Sequence, residues 1–261
     1  GAELAYRVHD LAPSAETLVV VNCAGRTRSI IGAQSLVNAG IPNTVMALRN
    51  GTMGWELAGY ETERGMERRA LEISDDGLVK AKAVADRVGQ RFGVETIDTA
   101  ILQTWRGEAG ERTLYLFDVR NPEEYAVGHM PGSVSAPGGQ LVQATDKYAA
   151  TRNARIVLID DNGVRATMTA SWMIQMGWRD TVVLDGGLAS GSLATGPHTA
   201  QIMGDRDARS VSSDTLESWL AAGDVTVVDL GRSLDYRAGH IPGAWFAVRS
   251  RLAQALKLVP K

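Results

Sequence analysis

Val19-Val20-Val21-Asn22-Cys23-Ala24-Gly25-Arg26-Thr27-Arg28-Ser29 is the stretch on which the fold turns. A short apolar run such as its three valines reads as a buried parallel strand. The six residues after Cys23 are small, hydroxylated or cationic. An apolar pattern at helical spacing follows (Ile30, Ile31, Leu36, Val37), and Gly40 supplies a helix stop. A thiol at such a strand-to-helix junction faces backbone N–H groups, the positive end of a helix macrodipole and two arginines. All three favour the thiolate, which is the nucleophile. A lone cysteine is more often a small buried hydrophobe, but Gly25, Arg26, Arg28 and Ser29 make poor core neighbours. Cys23 is therefore read as reactive.

Cys23 is the single cysteine of the chain. That excludes an internal disulfide, a cysteine-rich zinc site and a resolving thiol within the chain, and it fits a reducing cytoplasm. The 261 residues suffice for one large domain or two ordinary ones, and 44% apolar with 22% charged residues is the balance of a globular protein. A net charge of −3 gives no electrostatic case for nucleic acid or an anionic membrane. No apolar run approaches a membrane span, and the first residues lack the charged-then-apolar order of a signal peptide. A cytoplasmic location, with no nucleic-acid or membrane partner, is expected.

The chain repeats itself. The stretch from Val19 to Ser29 aligns without a gap on Ile156-Val157-Leu158-Ile159-Asp160-Asp161-Asn162-Gly163-Val164-Arg165-Ala166, so that Cys23 falls opposite Asp160, Arg28 opposite Arg165 and Gly40 opposite Gly177. A second strand follows in each copy, then a glycine turn, Asn50-Gly51 or Gly186-Gly187. A different pair of segments also matches at equal spacing. Asp118-Val119-Arg120, Tyr125 and Gly128-His129-Met130-Pro131-Gly132 align on Asp229-Leu230-Gly231, Tyr236 and Gly239-His240-Ile241-Pro242-Gly243. Each repeat thus has a front half (strand, Asp, Tyr, Gly-His-x-Pro-Gly) and a back half (strand, anion loop, helix, strand, Gly turn).

Four segments follow: 1–66, a back half carrying the active loop; 67–93, a linker helix; 94–200, a complete copy; and 209–261, a further front half. This is the pattern of a fragment from a longer tandem array. Leu71 to Phe92 reads as the linker helix, with Leu78, Ala81, Val84, Ala85, Val88 and Phe92 on one face. Ala189 to Gly204 has no period and reads as a linker. Strands alternating with helices predict an α/β fold, each domain a small parallel sheet with helices on both faces and its site outside the carboxyl ends of the strands.

These residues resemble the rhodanese-like sulfurtransferases in their multi-domain tandem form. Cys23 to Ser29 is similar to that family's active-site loop, and Asn50-Gly51 with Trp55 to its closing signature. Asp118-Val119-Arg120 and Gly128 to Gly132 are similar to its front-half signatures. The resemblance implies that Cys23 takes sulfane sulfur from a small anionic donor such as thiosulfate, holds it as a persulfide, and yields it to cyanide or a thiol acceptor. No cofactor or metal is implied. Arg28 is assigned with Cys23 to catalysis. Ala24, Gly25, Arg26, Thr27 and Ser29 are assigned to substrate binding, through an N–H nest, arginine attraction of the donor, and a Ser29 hydroxyl that caps the helix. Four residues separate Cys23 from Arg28. Related tyrosine-phosphatase loops place one more there, so the shorter ring favours sulfur over phosphate, and a phosphatase or arsenate reductase is the weaker alternative.

The copies differ where chemistry is concerned. Asp160 cannot carry a transferable sulfur, so the middle copy is expected to be inactive. Its carboxylate either fills its own nest or points to water. The alternative for the whole chain is a non-catalytic binding or scaffold module. Gly231 replaces the arginine seen at Arg120. The two terminal half-domains need completion, within the molecule, by a swapped homodimer, or by segments outside the chain. His129 and His240 occupy equivalent positions and read as structural, bonding backbone near the Pro turn. His9 and His198 are isolated.

Overall fold

Short apolar strands that each run into a helix recur in the computed structural model, which describes residues 1–65, 72–199 and 209–259. The chain divides into two compact units, 1–199 and 200–261. The first opens with α1 (Ala2–Leu11), β1 (Val19–Val21), α2 (Thr27–Ala39), β2 (Val45–Ala47), α3 (Gly51–Leu57) and α4 (Asp75–Phe92). It continues with β3 (Glu95–Ile97), α5 (Thr99–Gly107), β4 (Leu114–Asp118), α6 (Pro122–Val127), β5 (Val134–Ser135), α7 (Gly138–Gln143), β6 (Arg155–Ile159), α8 (Val164–Gln175) and β7 (Thr181–Leu184). The second unit holds α9 (Ser213–Ala222), β8 (Val228–Asp229), α10 (Ser233–Ala238), β9 (Trp245–Phe246) and α11 (Leu252–Ala255).

The strands named above all pair in parallel. The central sheet has five strands in the order β3-β7-β6-β4-β5. Alternation along β6 explains its two faces: Ile156 and Leu158 enter one core with residues of α7 and α8, while Val157 and Ile159 enter a second with Leu102 of α5. Helices on both faces of a parallel sheet make this an α/β fold. β1 and β2 form a separate two-stranded sheet in the register Val19↔Val45, matching Ile156↔Thr181 between β6 and β7. In the second unit β8 and β9 form a two-stranded parallel sheet among the described residues.

The β1 strand is less buried than its three valines predict. Val21 is buried with Val8, Ala33 and Leu36, but Val20 is 51% exposed and its register partner Met46 is 54% exposed. Helices cover one face of this two-stranded sheet, and alternation puts Val20 and Met46 on the other. Within α2, Ile30 and Val37 are likewise exposed, and the buried stripe is Ser29, Gly32, Ala33, Ser35, Leu36 and Ala39. Small residues line it because α1 packs closely there.

Helix α4 begins at Asp75, where the Ser74 side chain accepts a hydrogen bond from the Gly77 N–H, and ends at Gly93 in the left-handed region. Residues 66–71, including the first residue of the expected linker helix, lie outside the described residues. α4 buries Ala81, Val84, Ala85 and Val88 against α1 and α8. Residues 189–199 were read as linker, yet Ala194 pairs with His129 as an antiparallel bridge, and the Gly196 N–H bonds the Ala126 carbonyl at 2.8 Å. Backbone groups left open beside the Gly-His-x-Pro-Gly turn explain that docking; residues 200–204 lie outside the described residues. Among the described residues no helix is long and apolar enough to cross a membrane.

Candidate active site

Residues 22–26 form the loop between β1 and α2, with Cys23 partly buried and the Arg26 and Arg28 side chains exposed. The Ser29 hydroxyl lies 3.5 Å from Cys23 Sγ and donates to the Arg26 carbonyl oxygen at 2.9 Å. Ser29 is thus the third helical residue and does not cap α2. Arg26 occupies the cap position without a side-chain bond. The Cys23 thiol is held below its ordinary pKa. The Ser29 hydroxyl is the chief cause, burial opposes it, and the N–H groups of Gly25 and Ser29 and the Arg28 charge add to it. Cys23, Gly25, Arg28 and Ser29 therefore act on one sulfur atom. Ala24 and Thr27 shape the loop backbone, and both side chains face solvent.

The turn after β2 holds this loop in place. Asn50 and Gly51 both have positive φ, at 60° and 59°. A Cβ on Gly51 would collide with the Cys23 carbonyl oxygen, so glycine is required for the approach. That approach lets the Thr52 N–H bond the Cys23 carbonyl at 2.9 Å and the Met53 N–H bond the Ala24 carbonyl at 3.0 Å. Trp55 serves the segment after α3, donating to the Glu61 carbonyl at 2.8 Å. Beside the loop opens a cavity of about 350 Å3, lined in part by Arg26 and Arg49. Arg49 is absent from the site residues assigned by sequence, where the only signal was its place before the Asn-Gly turn.

The middle loop repeats this architecture around a carboxylate. Asp160 is 1% exposed. Its Oδ1 accepts from the Gly163 N–H at 2.6 Å and its Oδ2 from the Ala166 N–H at 3.1 Å. Of the two alternatives left open by sequence, the carboxylate fills its own nest. Burial raises the Asp160 pKa, with the Ala166 and Gly163 N–H groups opposing. A Cβ on Gly187 would collide with the Asp160 carbonyl oxygen, as at Gly51.

Arg165, the counterpart of Arg28, is engaged by three carboxylates. It donates to Glu124 Oε2 and Oε1, both at 2.8 Å, to Glu3 Oε1 at 2.7 Å and to Asp161 Oδ1 at 3.0 Å. It also lies 4.8 Å from the Tyr6 ring centroid. Burial works against this cation, but the three carboxylates outweigh it and raise its pKa.

Front-half signatures are structural. Arg120 forms a buried ion pair with Asp118 at 2.6 Å and donates to the Gly128 carbonyl at 2.6 Å. The His129 ring stacks on Tyr125 at 3.7 Å, its Nδ1 2.9 Å from the Tyr125 carbonyl oxygen. Tyr236 and His240 repeat that stack at 3.8 Å in the second unit. There Asp229, which has no arginine partner among the described residues, accepts from the Gly231 N–H at 2.7 Å. Among the described residues no cluster of three or more His, Cys, Asp or Glu is arranged to hold a metal.

Parallel strands that deliver a polarised thiol to the carboxyl edge of a sheet, beside a glycine turn that pins its loop, define an α/β protein with a cysteine at the place where such sheets carry their sites. Comparison with known proteins narrows the class. The profile of the rhodanese-like domain family matches residues 101–193. The thiosulfate sulfurtransferase GlpE of Pseudomonas paraeruginosa is 32% identical over 77 residues, 30% of this chain and 68% of that protein. The chain belongs to the rhodanese-like domain family.

A crystal structure of thiosulfate sulfurtransferase from Pseudomonas aeruginosa is 53% identical, superposes with a TM-score of 0.87, and is matched over 99% of this chain and 49% of its own. The tRNA uridine(34) hydroxylase of Erwinia tasmaniensis is 29% identical over 150 residues, 51% of this chain and 42% of that protein. The chain thus spans about half the length of the crystallised sulfurtransferase and less than half of the hydroxylase. The family profile falls on the copy that carries Asp160.

Proposed function

We propose that the chain is a sulfurtransferase in which Cys23 carries sulfane sulfur as a persulfide. The observation that supports this best is the Cys23 thiol, polarised by Ser29, two N–H groups and Arg28. In the forward half-reaction the thiolate attacks the outer sulfur of a thiosulfate-like donor. A bond forms from Sγ to that sulfur, the bond between the two donor sulfurs breaks, and sulfite leaves with the electron pair. The N–H nest and Arg28 then face an anionic persulfide. Cyanide attacks the outer sulfur, leaves as thiocyanate and restores the thiolate; a thiol acceptor would take the sulfur in the same way. Arg28 stabilises the charge on sulfur, and Arg26 attracts the donor. This chemistry needs one nucleophile and no cofactor. A four-residue span to Arg28 suits a single sulfur better than a phosphate, which disfavours the phosphatase alternative.

For residues 94–200 a non-catalytic role is proposed, because the Asp160 carboxylate takes the N–H bonds a persulfide would need. The test is intact mass after incubation with thiosulfate, with Cys23→Ser as control. A gain of one sulfur atom, removed by cyanide and absent in the control, is expected. No gain together with an inert thiol would leave the scaffold reading in its place.

A further inference from the structure

The cavity beside the Cys23 loop is lined by Arg26, Ile30, Ala47, Leu48, Arg49 and Asn50. In the repeat register these fall opposite Gly163, Thr167, Val183, Leu184, Asp185 and Gly186, and all six of those line the cavity of about 420 Å3 beside the Asp160 loop. The fold therefore builds one cleft twice, between the first turn of the helix and the end of the neighbouring strand. Such clefts outside the carboxyl ends of parallel strands are where α/β sheets bind ligands.

Their charges are opposite. Beside Cys23 the charged residues are Arg26 and Arg49. Beside Asp160 the same two positions are Gly163 and Asp185, and Asp86, Asp161 and Lys82 join them. Among the described residues neither Arg26 nor Arg49 is paired with a carboxylate, whereas Arg165 in the sister copy is bound to three. Arg49 is also fixed relative to the nucleophile, since the Asn50-Gly51 turn that follows it leads into Thr52, whose N–H bonds the Cys23 carbonyl.

We infer that the Arg26–Arg49 cleft is the subsite for the anionic end of the sulfur donor, with Arg49 as a specificity residue. The inference rests on the sulfurtransferase reading. Two arginines lining one cleft suit a group carrying two negative charges, with its oxygens directed into the cleft and its outer sulfur toward Cys23. The acidic sister cleft repels the same group, so the copy without a nucleophile also does not gather donors.

The test compares the wild type with Arg49→Ala, Arg49→Lys and Arg49→Asp, the last carrying the residue of the sister cleft; circular dichroism checks that each is folded. Two readouts are taken: steady-state thiosulfate–cyanide kinetics, and the rates at which Cys23 is alkylated by anionic iodoacetate and by neutral iodoacetamide. Arg49→Asp is expected to raise the thiosulfate KM about tenfold or more, the scale of one lost contact between charged groups, with a smaller change in kcat. The iodoacetate-to-iodoacetamide ratio should fall in parallel, and Arg49→Lys should retain most of both. A KM and an alkylation ratio both within about twofold of wild type in Arg49→Asp would overturn the proposal. So would a loss of reactivity equal for the two reagents, since that marks a distorted loop. If the wild type transfers no sulfur, the sulfurtransferase reading fails by itself, and the alkylation ratio alone then decides whether the cleft gathers anions.

Discussion

At Cys23 the groups that favour the thiolate do not contribute equally. Ser29 Oγ, 3.5 Å from Sγ, contributes most, ahead of the Gly25 and Ser29 N–H groups and of the Arg28 charge. A hydroxyl can turn its proton from the Arg26 carbonyl to the sulfur when the thiol ionises, whereas an exposed guanidinium is screened by water. Because the folded pKa is depressed, the alkylation rate of Cys23 should rise and level off at a lower pH than that of a free cysteine. Ser29→Ala should move that midpoint upward and slow alkylation at pH 7 by about threefold to tenfold, as the thiolate fraction falls. Arg28→Ala should move it less. Rates of iodoacetamide reaction from pH 5 to 10 give the comparison, and an unmoved midpoint in Ser29→Ala would transfer the main role to the backbone N–H groups.

The strand–loop–helix element occurs twice, as β1–α2 and β6–α8, and only one of its loops is equipped for a nucleophile. Placing a thiol in the other loop separates what the backbone supplies from what the side chains supply. In Asp160→Cys, made in a Cys23→Ser background, the sulfur would occupy a buried position with Ala166 where Ser29 stands and with Arg165 committed to Glu124, Glu3 and Asp161. It should react with iodoacetamide at least about tenfold more slowly than Cys23; an equal rate would show that the loop backbone suffices. Much of this comparison could be read directly from sequence, because the gapless match puts Cys23 opposite Asp160 and a glycine turn, Asn50-Gly51 or Gly186-Gly187, follows the second strand of each copy. Local spacing carries no information about which strand face a remote helix covers, so the exposure of Val20, Met46, Ile30 and Val37 was not legible. For a related reason, Arg49 is by sequence as readily a solvated surface arginine as a residue at the mouth of the site. A single exposed arginine has no pattern, and it gains meaning only when β2 carries it to the cleft that Arg26 also lines. Ser29 was read as a cap because hydroxyls favour helix starts, but here the helix begins two residues earlier, at Thr27.

Across the first unit, Arg165 joins parts of the chain far apart in sequence: Glu3 on α1, Glu124 on α6, and Asp161 in its own loop. Its side chain is fully buried, while the carboxylate side chains keep 36%, 34% and 40% exposure. Replacing Arg165 by Met leaves three carboxylates converging on an apolar chain. Removing one partner of a buried charge cluster costs about 3–5 kcal/mol, and the solvent screening of these partly exposed acids brings the expected loss nearer 2–3 kcal/mol. Arg165→Lys should recover only part of it, because one ammonium cannot serve both oxygens of Glu124 and two further carboxylates. The acid dependence has a definite sign. Burial tends to raise the Glu124 pKa, but Arg165 outweighs it and holds Glu124 below the usual range. Its contribution is therefore present above the unfolded pKa of about 4.3 and is lost as pH falls through the lower folded value. Asp160, whose pKa is raised, acts in the opposite sense, its contribution declining as pH rises past the unfolded value near 3.9. Arg165 also restrains that rise, so its removal should weaken the fold further near neutral pH and flatten the loss of stability on acidification. Urea denaturation of wild type, Arg165→Met and Arg165→Lys from pH 3 to 7 measures both effects. A loss below about 1 kcal/mol with an unchanged acid slope would mean that α1 is held to the middle copy by the apolar contacts of Ala2, Ala5 and Tyr6 alone.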